Sequence, residues 1–143
     1  MSAYRNLLER YVELYNAGDL DACMELYAED ASQRMHDGVF EGVNDIRERL
    51  ARDLVAFPDA RYVVDSFFAE DDKFGDEWTF TGTNTGPLRL PDGTEIPGTG
   101  KPVEIKGMEF VEVRDGKIVV DNLYYDFLAA VIQLGLFPEG AAA

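Results

Sequence analysis

The most constraining feature of the chain is a two-residue turn. Asp115-Gly116 separates two long runs of alternating residues, 103–113 and 118–126. Asp-Gly supplies the positive φ that a two-residue hairpin loop demands at both central positions. The turn therefore predicts a register: Arg114 opposite Lys117, Val113 opposite Ile118, Val111 opposite Val120, Glu109 opposite Asn122 and Gly107 opposite Tyr124. Side chains alternate across a sheet. One face then carries Val111, Val113, Ile118 and Val120 near the turn, and Glu109, Asn122, Tyr124 and Asp126 at the far end. Phe110, Glu112, Val119, Asp121, Leu123 and Tyr125 fall on the opposite face. A face that is aliphatic at one end and polar at the other suits the wall of a ligand pocket. Burial and mutual repulsion would raise at least one of its two carboxyl pKa values, making Glu109 and Asp126 candidates for acid/base work. A one-residue slip would carry the whole set to the other face.

The preceding chain reads as helices first and strands later. Leu7, Leu8, Tyr11, Leu14 and Tyr15 form a helical stripe, with Glu9, Arg10 and Glu13 away from it. Asn16-Ala17-Gly18-Asp19 stops that helix, and Asp19 can cap a second, short one ending near Glu29-Asp30. Residues 33–40 read as an irregular first strand. A third helix opens at Gly42-Val43-Asn44, with Asn44 as its cap and Ile46, Leu50, Leu54 and Val55 at helical spacing. Pro58 prevents its continuation. Strands follow at 60–69 and 77–83, rich in aromatic and β-branched residues. Four prolines and four glycines make 86–102 a long loop. After the hairpin comes a short apolar helix, 128–134, capped by Gly135. The last residues, 139–143, read as a frayed tail. Without alternating strand–helix–strand units, this order predicts an α+β domain with an antiparallel sheet covered by helices on one face. The length of 143 residues suits a single domain.

Charge narrows the function. There are 28 acidic residues against 13 basic, a net charge of -15. Such a surface repels phosphate backbones and anionic lipid, arguing against nucleic-acid and membrane partners. No apolar run spans a bilayer and no apolar leader opens the chain, so a cytoplasmic location is expected. The single cysteine, Cys23, lies on the apolar face of the second helix and reads as an inert core thiol. One Cys and one His make no zinc pattern. His36, the lone histidine, reads either as a surface residue or as a pocket donor. Trp78, Phe80, Phe67 and Phe68 read as core or pocket wall. Tyr11 and Tyr15 share the buried stripe of the first helix, where a hydroxyl needs a partner.

Several segments taken together carry a resemblance. They are Tyr11 to Asp19, Phe40-Glu41-Gly42, Gly82-Thr83-Asn84-Thr85-Gly86-Pro87-Leu88, Pro97-Gly98-Thr99-Gly100-Lys101, Asp115-Gly116-Lys117-Ile118, Tyr125-Asp126 and Gln133-Leu134-Gly135-Leu136. Their order and spacing over nearly the whole chain resemble the SnoaL-like polyketide cyclases, within the nuclear-transport-factor-two-like or ketosteroid-isomerase-like superfamily. The resemblance implies a cone: a strongly curved sheet wrapped around N-terminal helices, with one pocket inside. It also implies homodimers or homotetramers formed through the sheet. Family cyclases close a ring by an intramolecular aldol step without metal or cofactor, using an aspartate on the last strand, and Asp126 matches that position. The chain departs from the family in having Asn84 where histidine is frequent and Asn122 where tryptophan is frequent.

The resulting expectation is a cofactor-independent lyase or isomerase acting on a carbonyl-bearing hydrophobic small molecule. Asp126 would be the general base, with Asn122 and Glu109 beside it. Tyr11, Tyr15, His36, Trp78, Phe80, Asn84 and Tyr124 would contact the substrate. Two alternatives use the same cone: epoxide hydrolysis, with Asp126 and Asn122 holding a water, and a non-catalytic binding or assembly module.

Overall fold

A computed structural model describes residues 2–90 and 92–137. The helix α1 (Ser2–Asn16) buries Leu8, Leu14 and Tyr15, the stripe read from the sequence. Asp19 caps α2 (Leu20–Met24), its carboxylate accepting from the Ala22 N–H. That helix is shorter than expected, and strand β1 (Tyr27–Met35) begins where its continuation was predicted. A turn at 36–37 leads into β2 (Gly38–Glu41), so the irregular strand expected at 33–40 is two strands. In α3 (Val43–Ala56) the cap is Gly42 rather than Asn44, and no side chain caps it. Its inward stripe is Ile46, Leu50 and Ala56 with one charged member, Arg49.

The remaining elements are β3 (Arg61–Glu70), β4 (Lys73–Thr83), β5 (Leu88–Arg89), β6 (Glu95–Ile96), β7 (Pro102–Arg114), β8 (Lys117–Tyr125) and α4 (Phe127–Gln133). The expected long loop thus contains a small two-stranded hairpin, β5–β6. The predicted tail at 139–143 lies outside the described residues. Six strands form one open sheet in the order β2-β1-β8-β7-β4-β3. Every pairing is antiparallel except β1 with β8, which is parallel because the chain returns to the sheet centre last. α1 packs over β3 and α3 over β1, so helices cover one face of the curved sheet. The core lies between them.

The β7–β8 hairpin opens as predicted. Asp115 and Gly116 have φ of 53° and 75°, and Arg114 and Val113 pair with Lys117 and Ile118. Then the register shifts: Glu112 pairs with Val120, leaving Val119 as an extra residue on β8. This β-bulge exchanges the two faces of the rest of the strand. Val111 now faces Asp121, Glu109 faces Leu123 and Gly107 faces Tyr125. Asp121 and Leu123 are buried, whereas Tyr124 and Asp126 are exposed.

Candidate active site

A cavity of about 450 Å³ opens between α3, the concave sheet, the β5–β6 hairpin and α4. Its walls are mostly apolar. Trp78, Phe80 and Tyr62 pack edge to face as its floor, with ring centroids 4.9 and 5.2 Å apart. Ile105, Leu134 and Leu136 extend the apolar lining. This aromatic set follows from alternation along β3 and β4, where Tyr62 pairs with Phe80 and Val64 with Trp78. Gly107 lies beside Trp78 in the sheet, and a Cβ there would come within 2.5 Å of the indole and 2.7 Å of Tyr125 Cβ. Only glycine lets the two side chains meet at that point.

Polar groups converge at the end of the cavity where the β1–β2 turn meets α3. His36 stacks on Phe127, with centroids 3.7 Å apart, and its Nδ1 is hydrogen-bonded to the Tyr125 hydroxyl. His36 is an exposed residue at the cavity's rim, and the partial burial of its imidazole lowers its pKa, so the ring is neutral near pH 7. Burial also raises the Tyr125 phenol above its ordinary value, which keeps it protonated. Behind this pair Arg49, only 4% exposed, is held by two carboxylates. Its Nε lies 3.1 Å from both oxygens of Asp37, and an Nη is 3.0 Å from Asp53. Burial alone would lower the Arg49 pKa, but Asp53 and Asp37 more than reverse this, so the guanidinium stays charged. Asp53 is reached because it stands one helical turn after Arg49. Two N–H groups in the wall are buried with no partner among the described residues, Arg52 Nε and Trp78 Nε1.

Beneath Tyr62 and Trp78 lies a second, much smaller space of about 20 Å³, bordered by Asp76 and Glu109. Asp76 and Glu109 are paired across β4 and β7, and Asp121 follows from the bulged strand. Tyr27 donates to Asp121 at 2.6 Å and Gln33 Nε2 donates to it at 3.2 Å, while Tyr11 is 3.2 Å from the Tyr27 oxygen. No basic side chain forms an ion pair with these three acids among the described residues. Burial pushes the Asp76 carboxyl up to about 6, with Asp121 adding to the effect. Burial, then Asp121 and Asp76, hold Glu109 well above the usual carboxylic range. Both oxygens of Asp76 and one each of Asp121 and Gln33 lack partners among the described residues.

The sequence-predicted residues divide accordingly. His36, Trp78 and Phe80 line the large cavity. Glu109 and Tyr11 border the smaller space instead. Tyr15 is fully buried against Tyr62 and lines neither space. Asn84 is structural: its Nδ2 donates to the Ala56 and Gly86 carbonyls and its Oδ1 accepts from the Thr99 N–H. The bulge moves Asn122 and Tyr124 to the outer side of the sheet. Asp126 is exposed and caps α4, accepting from the Ala129 N–H at 3.0 Å. It is not a cavity carboxylate, and the water it was expected to share with Asn122 has no enclosed site there. Tyr125, Asp37, Arg49, Arg52 and Asp53 were not anticipated. An available signal was Arg49, an arginine inside the apolar stripe of α3 with an aspartate four residues on.

No curated protein matches the chain. Among solved structures, AclR, a candidate hydroxylase from Streptomyces galilaeus, superposes with a TM-score of 0.83 at 24% identity, covering 97% of this chain and 89% of that one. A candidate SnoaL-like polyketide cyclase from Jannaschia sp. CCS1 gives 0.83 at 20% identity, covering 96% and 94%. A candidate polyketide cyclase from Xanthomonas campestris pv. campestris gives 0.77 at 25% identity, covering 93% and 97%. These likenesses show a common cone fold. The profile of the SnoaL-like polyketide cyclases matches residues 5–134, and the chain belongs to that family.

Proposed function

We propose that the chain is a cofactor-independent cyclase- or isomerase-type enzyme that moves a proton on a carbonyl-bearing, largely apolar small molecule in the 450 Å³ cavity. The observation that carries this reading is the His36–Tyr125 hydrogen bond at the exposed polar rim of an aromatic chamber. With Nδ1–H donating to the Tyr125 oxygen, His36 Nε2 is a free base and the tyrosine O–H is free to donate. The imidazole takes a proton from carbon next to the carbonyl. The phenol donates to the carbonyl oxygen as the enolate forms. Arg49, fixed by Asp37 and Asp53, adds positive potential behind the pair. The enolate carbon then attacks a second carbonyl to close a ring, or takes a proton back to isomerise.

The test is hydrogen–deuterium exchange at the α-carbon of 2-tetralone in D₂O, followed by proton NMR. The wild-type chain accelerates exchange and His36→Gln loses the acceleration. Equal rates for the two proteins would overturn the assignment. The outer sheet face, which exposes Val63, Phe68, Met108 and Tyr124, supports a homodimer through the sheet. Sedimentation equilibrium of the wild type and Phe68→Lys tests this, with dimer expected only for the former.

A further inference from the structure

The cavity wall differs in charge from the rest of the chain. The net charge is -15 overall, yet the wall holds Arg49, Arg52 and Arg89 against Asp37 and Asp53. Arg49 occupies both acids. Arg52 and Arg89 have no carboxylate partner among the described residues, and the Arg52 guanidinium lies 5.9 Å over the Phe40 ring. They arise from α3 and β5, two elements that pack together. Both line the cavity.

Among the described residues, Arg52 Nε is an unmatched donor of the wall, and Trp78 Nε1 is unmatched on the partition between the two spaces. A buried N–H without an acceptor is destabilising. A wholly apolar ligand would leave both unmatched and would seal a guanidinium against hydrocarbon. A ligand carrying an oxyanion would satisfy them, and arginine presents a planar fork that suits a carboxylate.

We propose that the cavity's ligand is an organic acid, a flat apolar body bearing one carboxylate held by Arg52 and Arg89 while its carbonyl end faces His36 and Tyr125. The inference rests on the reading of this cavity as the substrate site and adds the substrate class. The apolar body would lie over Trp78 and Phe80. Arg52 and Arg89 would be binding residues that set specificity, with no part in proton transfer.

Titration calorimetry with two shape-matched probes tests it, naphthalene-2-carboxylate and the neutral naphthalene-2-carboxamide. Trp78, the chain's one tryptophan, gives a local fluorescence report of where they bind. The acid is expected to bind about tenfold more tightly than the amide. Arg52→Gln and Arg89→Gln should each reduce that preference severalfold, and the double variant should abolish it. Arg89 is exposed on a short hairpin, so its substitution reads out even where Arg52→Gln fails to fold. Equal affinity for acid and amide in the wild type overturns the proposal, as does a preference that survives Arg89→Gln undiminished. His36→Gln should keep the acid preference. A preference that persists in a wild-type chain without exchange activity sustains the ligand inference and overturns the catalytic reading alone.

Discussion

Two polar regions lie on either side of the Tyr62–Trp78 partition, and they have opposite deficits. On the open side, among the described residues, the unmatched buried atom is the Arg52 N–H donor, with the Trp78 N–H on the partition itself, in a wall with more arginines than aspartates. On the smaller side they are carboxyl and amide oxygens, with no ion-paired cation to offset them among the described residues. Missing acceptors can be supplied by a ligand, and the open side has room for one. Missing donors can be supplied by protons held on the acids or by the one water that the smaller space has room for. The same sheet thus builds a site that awaits an anion beside a cluster that retains hydrogen ions.

The sharpest way to break this contrast is to disable each side separately. His36→Gln should slow α-proton exchange by about 100-fold, while Glu109→Gln should leave the rate near that of the wild type. The reverse pattern in NMR exchange assays would move the chemistry to the acid cluster. A second test uses stability. Both clustered acids hold protons more tightly when folded than when unfolded. Their stabilising contribution is therefore complete at low pH and is lost as pH rises, for Asp76 between 3.8 and about 6, and for Glu109 from 4.5 upward. Urea unfolding should show stability falling by about 2–3 kcal/mol from pH 4 to pH 7 through Asp76, and Asp76→Asn should flatten that slope. Stability that rises over this range would contradict the protonated cluster.

Smaller effects sharpen the open side. Tyr125→Phe keeps the ring in the wall and removes the donor, so exchange should fall roughly tenfold with ligand affinity preserved. A fall in affinity alone would make Tyr125 a packing residue. The smallest effect is expected at Asp126. Loss of its cap in Asp126→Ala should cost about 1 kcal/mol by thermal unfolding, with exchange unchanged. Loss of exchange there would restore the aspartate expected from the family pattern.

Much of the architecture was legible because it rests on local chemistry. The Asp115-Gly116 turn, the stripe of α1 and the Asp19 cap each follow from a few neighbouring residues, and each appears as read. The site was less legible because it depends on one extra residue. Ile118-Val119-Val120 is equally at home in either pleat, so no residue type marks where the ladder slips. That slip removes Asn122, Tyr124 and Asp126 from the interior and brings in Asp121 and Tyr125. His36 and Trp78 escaped the error because they lie on other segments. The arginines were missed for a different reason: a charged residue on a predicted helix is read as solvated unless its partner is known, and Arg49 finds Asp37 across a turn that was read as continuous strand.

Gly107 carries a consequence for altering this protein. The room in the chamber is governed partly from a backbone position that donates no atoms to its lining. Even a methyl there would act as a wedge on the indole and the neighbouring phenol together, narrowing the vessel and tilting its proton donor in one stroke. Libraries confined to lining residues would never sample that lever, and alanine at 107 is the most economical way to retune size selectivity.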